Sequence, residues 1–466
     1  MKMSTRRTSL FVTTFNLNGS LPSLEDVRIW LQGTSRCSAS DADLVVISLQ
    51  ESPVAAGTTT TSSTSRKGPE RTEPMLFSAG MYTPSNNSAE NTDGGAEFLD
   101  NIQSVLSDRH DLVADVSMGA KPSTSCDEPC GVKWHGYLRL LVYACGSEFV
   151  TELRQTSIAI AVAVGSKAMS RSNEVLSNNL SLEYSQYHAL GSPDKGAVCL
   201  VMPTLKTVAV CAHLAGTNKY GVAERAFDLV RHKQLHIISR VLEDSTPNVG
   251  CVDENIDSWR IIAGDLNFRV EIHDKEEHKD RRGKDWRAVA DIVQSGGQGD
   301  SWPNQQRVVE LFCCHDRLMQ YLEHGPIHLL ANHNEDEEDD EMLALPNLLH
   351  SVVDLIHYKC FLGTNTSIRR DPQIIMPTFS FQTESDASEI IAGGGNVCRA
   401  SRRPFSDKRT PSWPDRILMS RGLVENGENT SSVVAVGSCP SITLSDHCPV
   451  WSYAVCSLPR RTQIDV

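Results

Sequence analysis

An α+β fold is predicted, with two packed β-sheets in the core and helices laid over them. Three features of the sequence lead there. Short apolar or β-branched runs recur at Leu10 to Phe15, Leu44 to Leu49, Tyr137 to Tyr143, Gln155 to Val164, Ala197 to Met202, Lys206 to His213, Arg260 to Ala263 and Ser432 to Val436, each of strand length. Helical spacing appears at Leu24 to Leu31 and at Gly221 to Glu243. Polar clusters then sit at or beside strand ends, where a sheet delivers side chains to its rim. Many strands with helices outside them give a two-sheet core under a helical cover.

Taken in order, the first strand ends in Asn16-Leu17-Asn18-Gly19. The helix from Leu24 follows Pro22-Ser23, with Ser23 as its cap and Asp26 at the third position. The next strand ends in Leu49-Gln50-Glu51. Pro203-Thr204-Leu205-Lys206 separates two strands and reads as a hairpin turn. The helix of 221–243 keeps Val222, Ala226, Leu229, Val230 and Ile237 on one face. The strand from Arg260 runs into Gly264-Asp265-Leu266-Asn267-Phe268-Arg269, and the last cluster is Ser445-Asp446-His447. No single cluster carries the reading; their joint occurrence in this order does.

Long polar insertions interrupt the pattern. Ser52 to Gly95 includes Thr58-Thr59-Thr60-Thr61-Ser62-Ser63-Thr64-Ser65, a composition unable to bury enough apolar surface to offset ordering, and is expected to be disordered. Smaller insertions occur at Ser166 to Ser181, Asp274 to Lys284 and Ser385 to Ser401. The acidic run Glu335 to Glu341 reads as a solvated loop, since it lacks the alternating ligands and central glycine of a calcium loop. The expected organisation is an N-terminal extension over 1–9, one catalytic domain over 10–456 with insertions at 52–95 and 335–341, and a tail over 457–466. At 466 residues this is large for one domain, as the insertions explain.

A formal net charge of -14 argues against a nonspecific nucleic-acid binder, and no nucleic-acid partner is expected. No apolar stretch of signal-peptide length follows Met1 to Leu10, and no run is long enough to span a bilayer. The 14 cysteines are therefore expected to be reduced thiols in the cytoplasm. Cys126, Cys130, Cys313 and Cys314 match no common zinc spacing.

The clusters suit phosphate chemistry at a metal. Glu51 is the anchor for a hard cation such as Mg²⁺, which keeps several waters and needs one or two protein carboxylates; Asn18 and Asn16 complete the shell directly or through water. Asp265 and Asn267 lie two apart, so an extended segment points both to one side. Asp265 can then hold and deprotonate a water while Asn267 donates to a phosphoryl oxygen. His447 needs an orienting carboxylate, for which Asp415 in Trp413-Pro414-Asp415-Arg416 is the candidate. His213, at a strand end, is a second donor. A strand-end glutamate and an Asx turn are the structural alternatives for Glu51 and Asp265.

These residues resemble a known family. Lys408-Arg409-Thr410-Pro411-Ser412-Trp413-Pro414-Asp415-Arg416-Ile417-Leu418 resembles the Pro-Ala-Trp-Cys-Asp-Arg-Ile-Leu signature of inositol polyphosphate 5-phosphatases, in the endonuclease/exonuclease/phosphatase superfamily. Gly264 to Arg269 resembles its Gly-Asp-Leu-Asn-Tyr-Arg, with Phe268 for Tyr, and Phe15 to Gly19 its Trp-Asn-x-Asn-Gly. His213-Leu214-Ala215 and Lys195-Gly196-Ala197-Val198 resemble two further segments, all in family order from Leu10 to Cys456. The resemblance implies a four-layer, DNase-I-like sandwich and Mg²⁺-dependent removal of the 5-phosphate from a phosphoinositide, such as phosphatidylinositol 4,5-bisphosphate, or from a soluble inositol phosphate. It implies that Glu51, Asn18 and Asn16 serve the metal and Asp265 the water. It places Asn267, His213 and His447 on the scissile phosphate, with Asp415 orienting His447, and Lys195, Lys408 and Arg409 on ring phosphates.

Departures concern the substrate. Pro377-Thr378-Phe379-Ser380-Phe381 stands where the family has Pro-Thr-Tyr-Lys-Tyr, whose Tyr and Lys help grip a 4-phosphate. Asp194 replaces the Asn before Lys195, and the family's Lys-Glu-Gly is not recognisable, although Arg369 and Arg370 lie near. Competing readings are another phosphodiesterase of the superfamily, a nuclease or sphingomyelinase, and a non-catalytic phosphoinositide-binding module. Peripheral contact with a membrane would come from an apolar loop, such as Phe379 to Phe381 or Val352 to Phe361, although buried strand or helix is the expectation for both.

Overall fold

The computed structural model describes residues 4–34, 37–53, 94–118, 137–163, 195–216, 259–270, 302–324, 358–360, 377–379, 381, 405, 410–420 and 432–460, with scattered positions in 228–242 and 289–292. Twelve strands among these residues form two six-stranded sheets. The first sheet contains β1 (Ser4–Asn16), β2 (Leu44–Ser52), β3 (His110–Met118), β4 (Tyr137–Cys145), β11 (Ser432–Ser438) and β12 (Val450–Arg460), in the order β11-β12-β1-β2-β4-β3. The second contains β5 (Ile158–Ala163), β6 (Gly196–Met202), β7 (Thr207–His213), β8 (Trp259–Asp265), β9 (Tyr358–Cys360) and β10 (Asp415–Ser420), in the order β5-β6-β7-β8-β10-β9. Both sheets are mixed: β1 and β2 run parallel, as do β7 and β8, amid antiparallel neighbours.

Side-chain alternation divides the core into layers. Leu10, Val12, Leu44 and Val46 of one sheet meet Ala209, Cys211, Ile261, Ala263, Ile417 and Met419 of the other. The intervening residues Phe11, Phe15, Val45, Ile47 and Leu49 turn outward against α1 (Leu24–Gln32) and α2 (Gly94–Leu106). On the far side Val208, Val210, Ala212, Ile262 and Leu418 pack against Leu235, Ile238 and Leu242, and against Leu318 and Tyr321. Each central strand is thus buried on both faces, which explains why its sequence reads as a continuous apolar run. The result is helix, sheet, sheet, helix: the DNase-I-like α+β sandwich that the sequence predicts.

Individual elements follow from local chemistry. Ser23 caps α1 in a full capping box, its side chain accepting from Asp26 N at 3.2 Å while Asp26 Oδ2 accepts from Ser23 N at 3.0 Å. Trp30 fixes that helix to the sheet, donating from Nε1 to Thr13 Oγ1 at 2.6 Å, and Thr13 donates on to Val450 O at 2.7 Å. The Pro203 hairpin joins antiparallel β6 and β7 through a 3-10 turn, with Lys206 in the left-handed region at φ 47°. Gly264 has no alternative residue: a Cβ there would lie 1.9 Å from Ala212 O.

Several boundaries differ from expectation. β1 starts at Ser4 and β12 ends at Arg460, and the two pair along their length, so the expected terminal extension and tail supply part of a sheet. Ser52 closes β2, Gly94 and Gly95 open α2, and 54–93 lies outside the described residues. Gln155 and Thr156 belong to α3 (Ser147–Thr156), so β5 begins at Ile158. The described positions of 228–242 are helical; Val222, Ala226, Leu229, Val230 and Ile237 lie outside them. Two further helices, α4 (Trp302–His315) and α5 (Arg317–His324), had no clear signature.

Phe379 and Phe381 are both buried, so neither is an exposed apolar loop. Among the described residues no helix is long and apolar enough to cross a membrane. Cys314 is exposed; Cys126, Cys130 and the side chain of Cys313 lie outside the described residues, as does the acidic run 335–341.

Candidate active site

Alternation along each strand decides what reaches the space between the sheets. Asp265 has the parity of Ile261 and Ala263, and His213 that of Ala209 and Cys211. Asp415 has the parity of Ile417 and Met419, and Asn16 that of Leu10 and Val12. All four therefore face the inter-sheet layer, at the end where β1, β7 and β8 finish and the antiparallel β10 begins. Register places His213 beside Asp265 on one neighbouring strand and Asp415 beside it on the other.

Glu51 reaches the same place by a different route. A regular strand would turn it outward with Leu49, but the β2–β4 pairing shifts between Leu49 and Ser52, and Glu51 adopts φ 52°. The bulge re-aims its side chain. Leu17 N donates to Gln50 O at 2.8 Å and Gly19 N to Glu51 O at 2.9 Å, tying this turn to the end of β1. Asn18 at φ 47° and Asn267 at φ 58° are also left-handed. Only five described non-glycine residues have positive φ, and three stand here, a clustering typical of functional sites.

Asp265 is the hub. Its Oδ2 accepts from Asn16 Nδ2 at 3.1 Å, across the two sheets, and its Oδ1 accepts from Asn267 N at 3.0 Å. His213 Nε2 stands 3.4 Å from Asp265 Oδ2 and 3.8 Å from Glu51 Oε1, and His447 Nε2 stands 3.9 Å from Asp265 Oδ2. Behind His447, Nδ1 lies 2.9 Å from Asp415 Oδ2 and 3.1 Å from Oδ1, and Thr378 Oγ1 donates to Asp415 Oδ2 at 2.7 Å. Lys195 Nζ rests on the His213 ring. The Nε2 atom of His213 can accept from Lys195 or donate to Asp265, not both, so these two contacts are alternatives.

Burial works against the Asp265 carboxylate. The hydrogen bond from His213 and the charges of His447, His213 and Arg269 outweigh it and hold the carboxyl well below the usual range. Burial also works against the His447 imidazolium, but the charge and hydrogen bond of Asp415, helped by Asp265 and Asp446, raise it to about 9. Burial lifts the Asp415 carboxyl too, against the charge of His447, so the pair titrates as one unit. At neutral pH the favoured arrangement is an imidazolium held on a carboxylate, its Nε2 aimed at an ionised Asp265.

Three supporting residues carried little signal as individuals. Thr378 holds Asp415 from the segment read only for Phe379 and Ser380 in place of Tyr and Lys. Arg269 donates to Asn267 Oδ1 at 2.6 Å, fixing that amide so that Nδ2 donates to Leu214 O at 3.0 Å. Ser445 donates to Asn16 O at 2.7 Å and accepts from His447 N at 3.1 Å, joining two of the clusters. Lys408, Arg409, Asp194, Arg369, Arg370 and Ser380 lie outside the described residues.

No protein-family model matches the chain, and no curated protein matches it. Its overall shape is similar to several solved structures. The inositol polyphosphate 5-phosphatase domain of SPsynaptojanin, in complex with inositol (1,4)-bisphosphate and calcium ion, shares 14% identity over 98% of this chain and 87% of that one, with a TM-score of 0.48. A Cimex nitrophorin in a ferrous NO complex shares 12% over 97% and 99%, at 0.44. The Xenopus laevis APE2 catalytic domain shares 11% over 97% and 94%, at 0.35.

The donor set is suited to a hard cation. Glu51 offers a carboxylate whose side chain is 19% exposed, on a turn whose main chain is tied to that of the segment holding Asn16 and Asn18, and the Asp265 carboxylate lies on the other side of His213. All are oxygen donors, and the protein carboxylates are few, as Mg²⁺ prefers. Asn16 already bonds Asp265 through Nδ2 and accepts from Asn18 N at 3.1 Å through Oδ1, so its main contribution is to shape the turn. Among the described residues no cluster of three His, Cys, Asp or Glu side chains forms a protein-only metal cage.

Proposed function

We propose that the chain is a Mg²⁺-dependent phosphatase that hydrolyses the 5-phosphate of a phosphoinositide or a soluble inositol phosphate. The observation that carries the phosphate-cleaving part is the convergence on Asp265 of an amide from the opposite sheet and a His447–Asp415 pair. The inositol ring and its 5-position are supported by the Trp413-Pro414-Asp415-Arg416-Ile417-Leu418 and Gly264 to Arg269 segments.

Each side chain has a distinct part in this reading. Glu51 anchors the cation, with Asn18 completing the shell and Asn16 orienting both Asn18 and Asp265. Bound there, Mg²⁺ supplies Lewis-acid neutralisation of phosphoryl charge. Asp265, ionised across the working range, accepts a hydrogen bond from the attacking water and takes its proton as the new P–O bond forms. Meanwhile the P–O bond to the ring breaks, and the ring oxygen leaves as a hydroxyl with a proton from solvent. Asn267 offers the second hydrogen of Nδ2 to a phosphoryl oxygen, and His447 offers Nε2–H and a positive charge. His213 is the further donor at the scissile phosphate, with Lys195 behind it. Lys408 and Arg409 bind ring phosphates.

The test is phosphate release with Mg²⁺ from inositol phosphates and phosphoinositides that differ in which ring positions are phosphorylated. Release confined to substrates with a 5-phosphate supports the proposal. Release from other positions alone, from nucleic acid, or from none of these substrates overturns it.

A further inference from the structure

Phe379 stands between the two halves of this site, although its side chain has no atom that acid–base or metal chemistry needs. It is 2% exposed, and its main chain is clamped on Ser412: Phe379 N donates to Ser412 O at 3.2 Å and Ser412 N to Phe379 O at 2.9 Å. An isolated bridge pairs it with His447 on the other side. The adjoining segments are bonded too, Phe381 N to Asp446 O at 2.9 Å and Cys448 N to Thr378 O at 2.8 Å. The backbone therefore leaves the ring little freedom.

Two cationic groups meet that ring. The Arg269 Cζ lies 4.0 Å from its centroid, and the His447 ring centroid lies 4.4 Å from it at a 42° tilt. Arg269 in turn fixes the Asn267 amide, Asn267 N bonds Asp265, and His447 Nε2 faces Asp265. The contacts close into a circuit: Asp265, Asn267, Arg269, Phe379, His447 and back to Asp265. The π-cloud of one ring is thus within reach of a guanidinium and an imidazolium and attracts both, so a single side chain contacts each of the two cations.

We propose that Phe379 is a positioning residue, holding Arg269 on Asn267 and His447 on Asp265 at one fixed spacing. Its role in catalysis rests on the phosphatase reading, while the mechanical coupling of Asn267 to His447 does not. An aliphatic side chain of similar volume would fill the space but attract neither cation, so leucine separates packing from positioning.

The experiment compares wild type, Phe379→Leu and Phe379→Tyr. It measures kcat and KM, with NMR of selectively labelled histidine imidazoles and asparagine side-chain amides. Phe379→Leu is expected to lower kcat about 10- to 100-fold with KM within about twofold, since misplacement of about 1 Å is enough for such a loss. It should also shift the Asn267 amide and His447 imidazole signals together, and Phe379→Tyr should restore all three. Unchanged kcat and signals in Phe379→Leu, or movement of His447 without Asn267, would overturn the inference. If wild type releases no phosphate, the phosphatase reading fails by itself, and the paired NMR shifts alone decide the coupling. If Phe379→Leu does not fold, Arg269→Lys must move the His447 signal through the ring; a stationary signal overturns the inference.

Discussion

Asn16 Nδ2 lies 3.1 Å from Asp265 Oδ2, a hydrogen bond that joins the two sheets at their common rim. It makes the Asp265 carboxylate depend on a residue from the other layer. Ser445 adds a third segment by donating to the carbonyl of the same Asn16.

Asn16→Asp should be more damaging than Asn16→Ala. The alanine variant loses a hydrogen bond to a charged group, about 1.5–3 kcal/mol, which corresponds to roughly 10- to 150-fold if all of it is expressed in the transition state. The aspartate variant sets a like charge beside Asp265 and raises its pKa as well. Steady-state phosphate release together with thermal unfolding checks the order.

His447 gives the site its alkaline limit. Its folded pKa is raised to about 9 from 6.5, so its contribution to stability is fully present below about pH 6.5 and is lost as pH rises through about 9. Activity that needs the imidazolium should fall over the same upper range. His447→Gln should lower kcat by about 10²–10³-fold and remove that limb from the profile. A pH–rate series on both proteins reads the result.

Glu51 should matter to Mg²⁺ and little to the fold. Its side chain is partly exposed, and its Oε1 lies 3.8 Å from His213 Nε2. Mg²⁺ should raise the melting temperature of wild type by mass action, and Glu51→Gln should abolish that rise while leaving the metal-free melting temperature within about 2 °C. Chelation with EDTA should stop phosphate release, and added Mg²⁺ should restore it. Calorimetric scans with and without Mg²⁺ are the measurement.

Gly264→Ala should destabilise the protein by about 3 kcal/mol or more. Its Cβ would lie 1.9 Å from Ala212 O, and backbone on a neighbouring strand has no room to give. Because β7 and β8 carry His213 and Asp265, activity should fall with stability. Urea unfolding gives the magnitude.

Much of the site was legible because alternation is local. The strand runs before Asn16, His213 and Asp265 fix which face each residue takes, but Asp265 and Asn267 do not share an extended segment: β8 ends at Asp265, Asn267 has φ 58°, and Asn267 N donates to Asp265 Oδ1 as in an Asx turn. Glu51 was legible as a residue but not as a geometry, since its approach depends on a bulge that no hydropathy pattern marks. Thr378 and Arg269 were missed as supports because their partners, Asp415 and Asn267, are set by tertiary contact. Lys195 was assigned to ring phosphates, while its Nζ rests on His213, a neighbour set by the β6–β7 register. The fold followed the same division: β1, β2, β4, β6, β7 and β8 were plain as apolar runs, but the interior strands β10 and β12, the edge strands β3 and β9 and the helices α2–α5 were not read as elements.

The most direct test is Asp265→Asn, which keeps the shape of the hub and removes its charge. Phosphate release from a 5-phosphorylated inositol substrate should fall at least about 10³-fold with Mg²⁺ present, while the circular dichroism spectrum and the cooperative unfolding transition are retained. A variant that folds as wild type does and releases phosphate at a similar rate would contradict the central role given to Asp265.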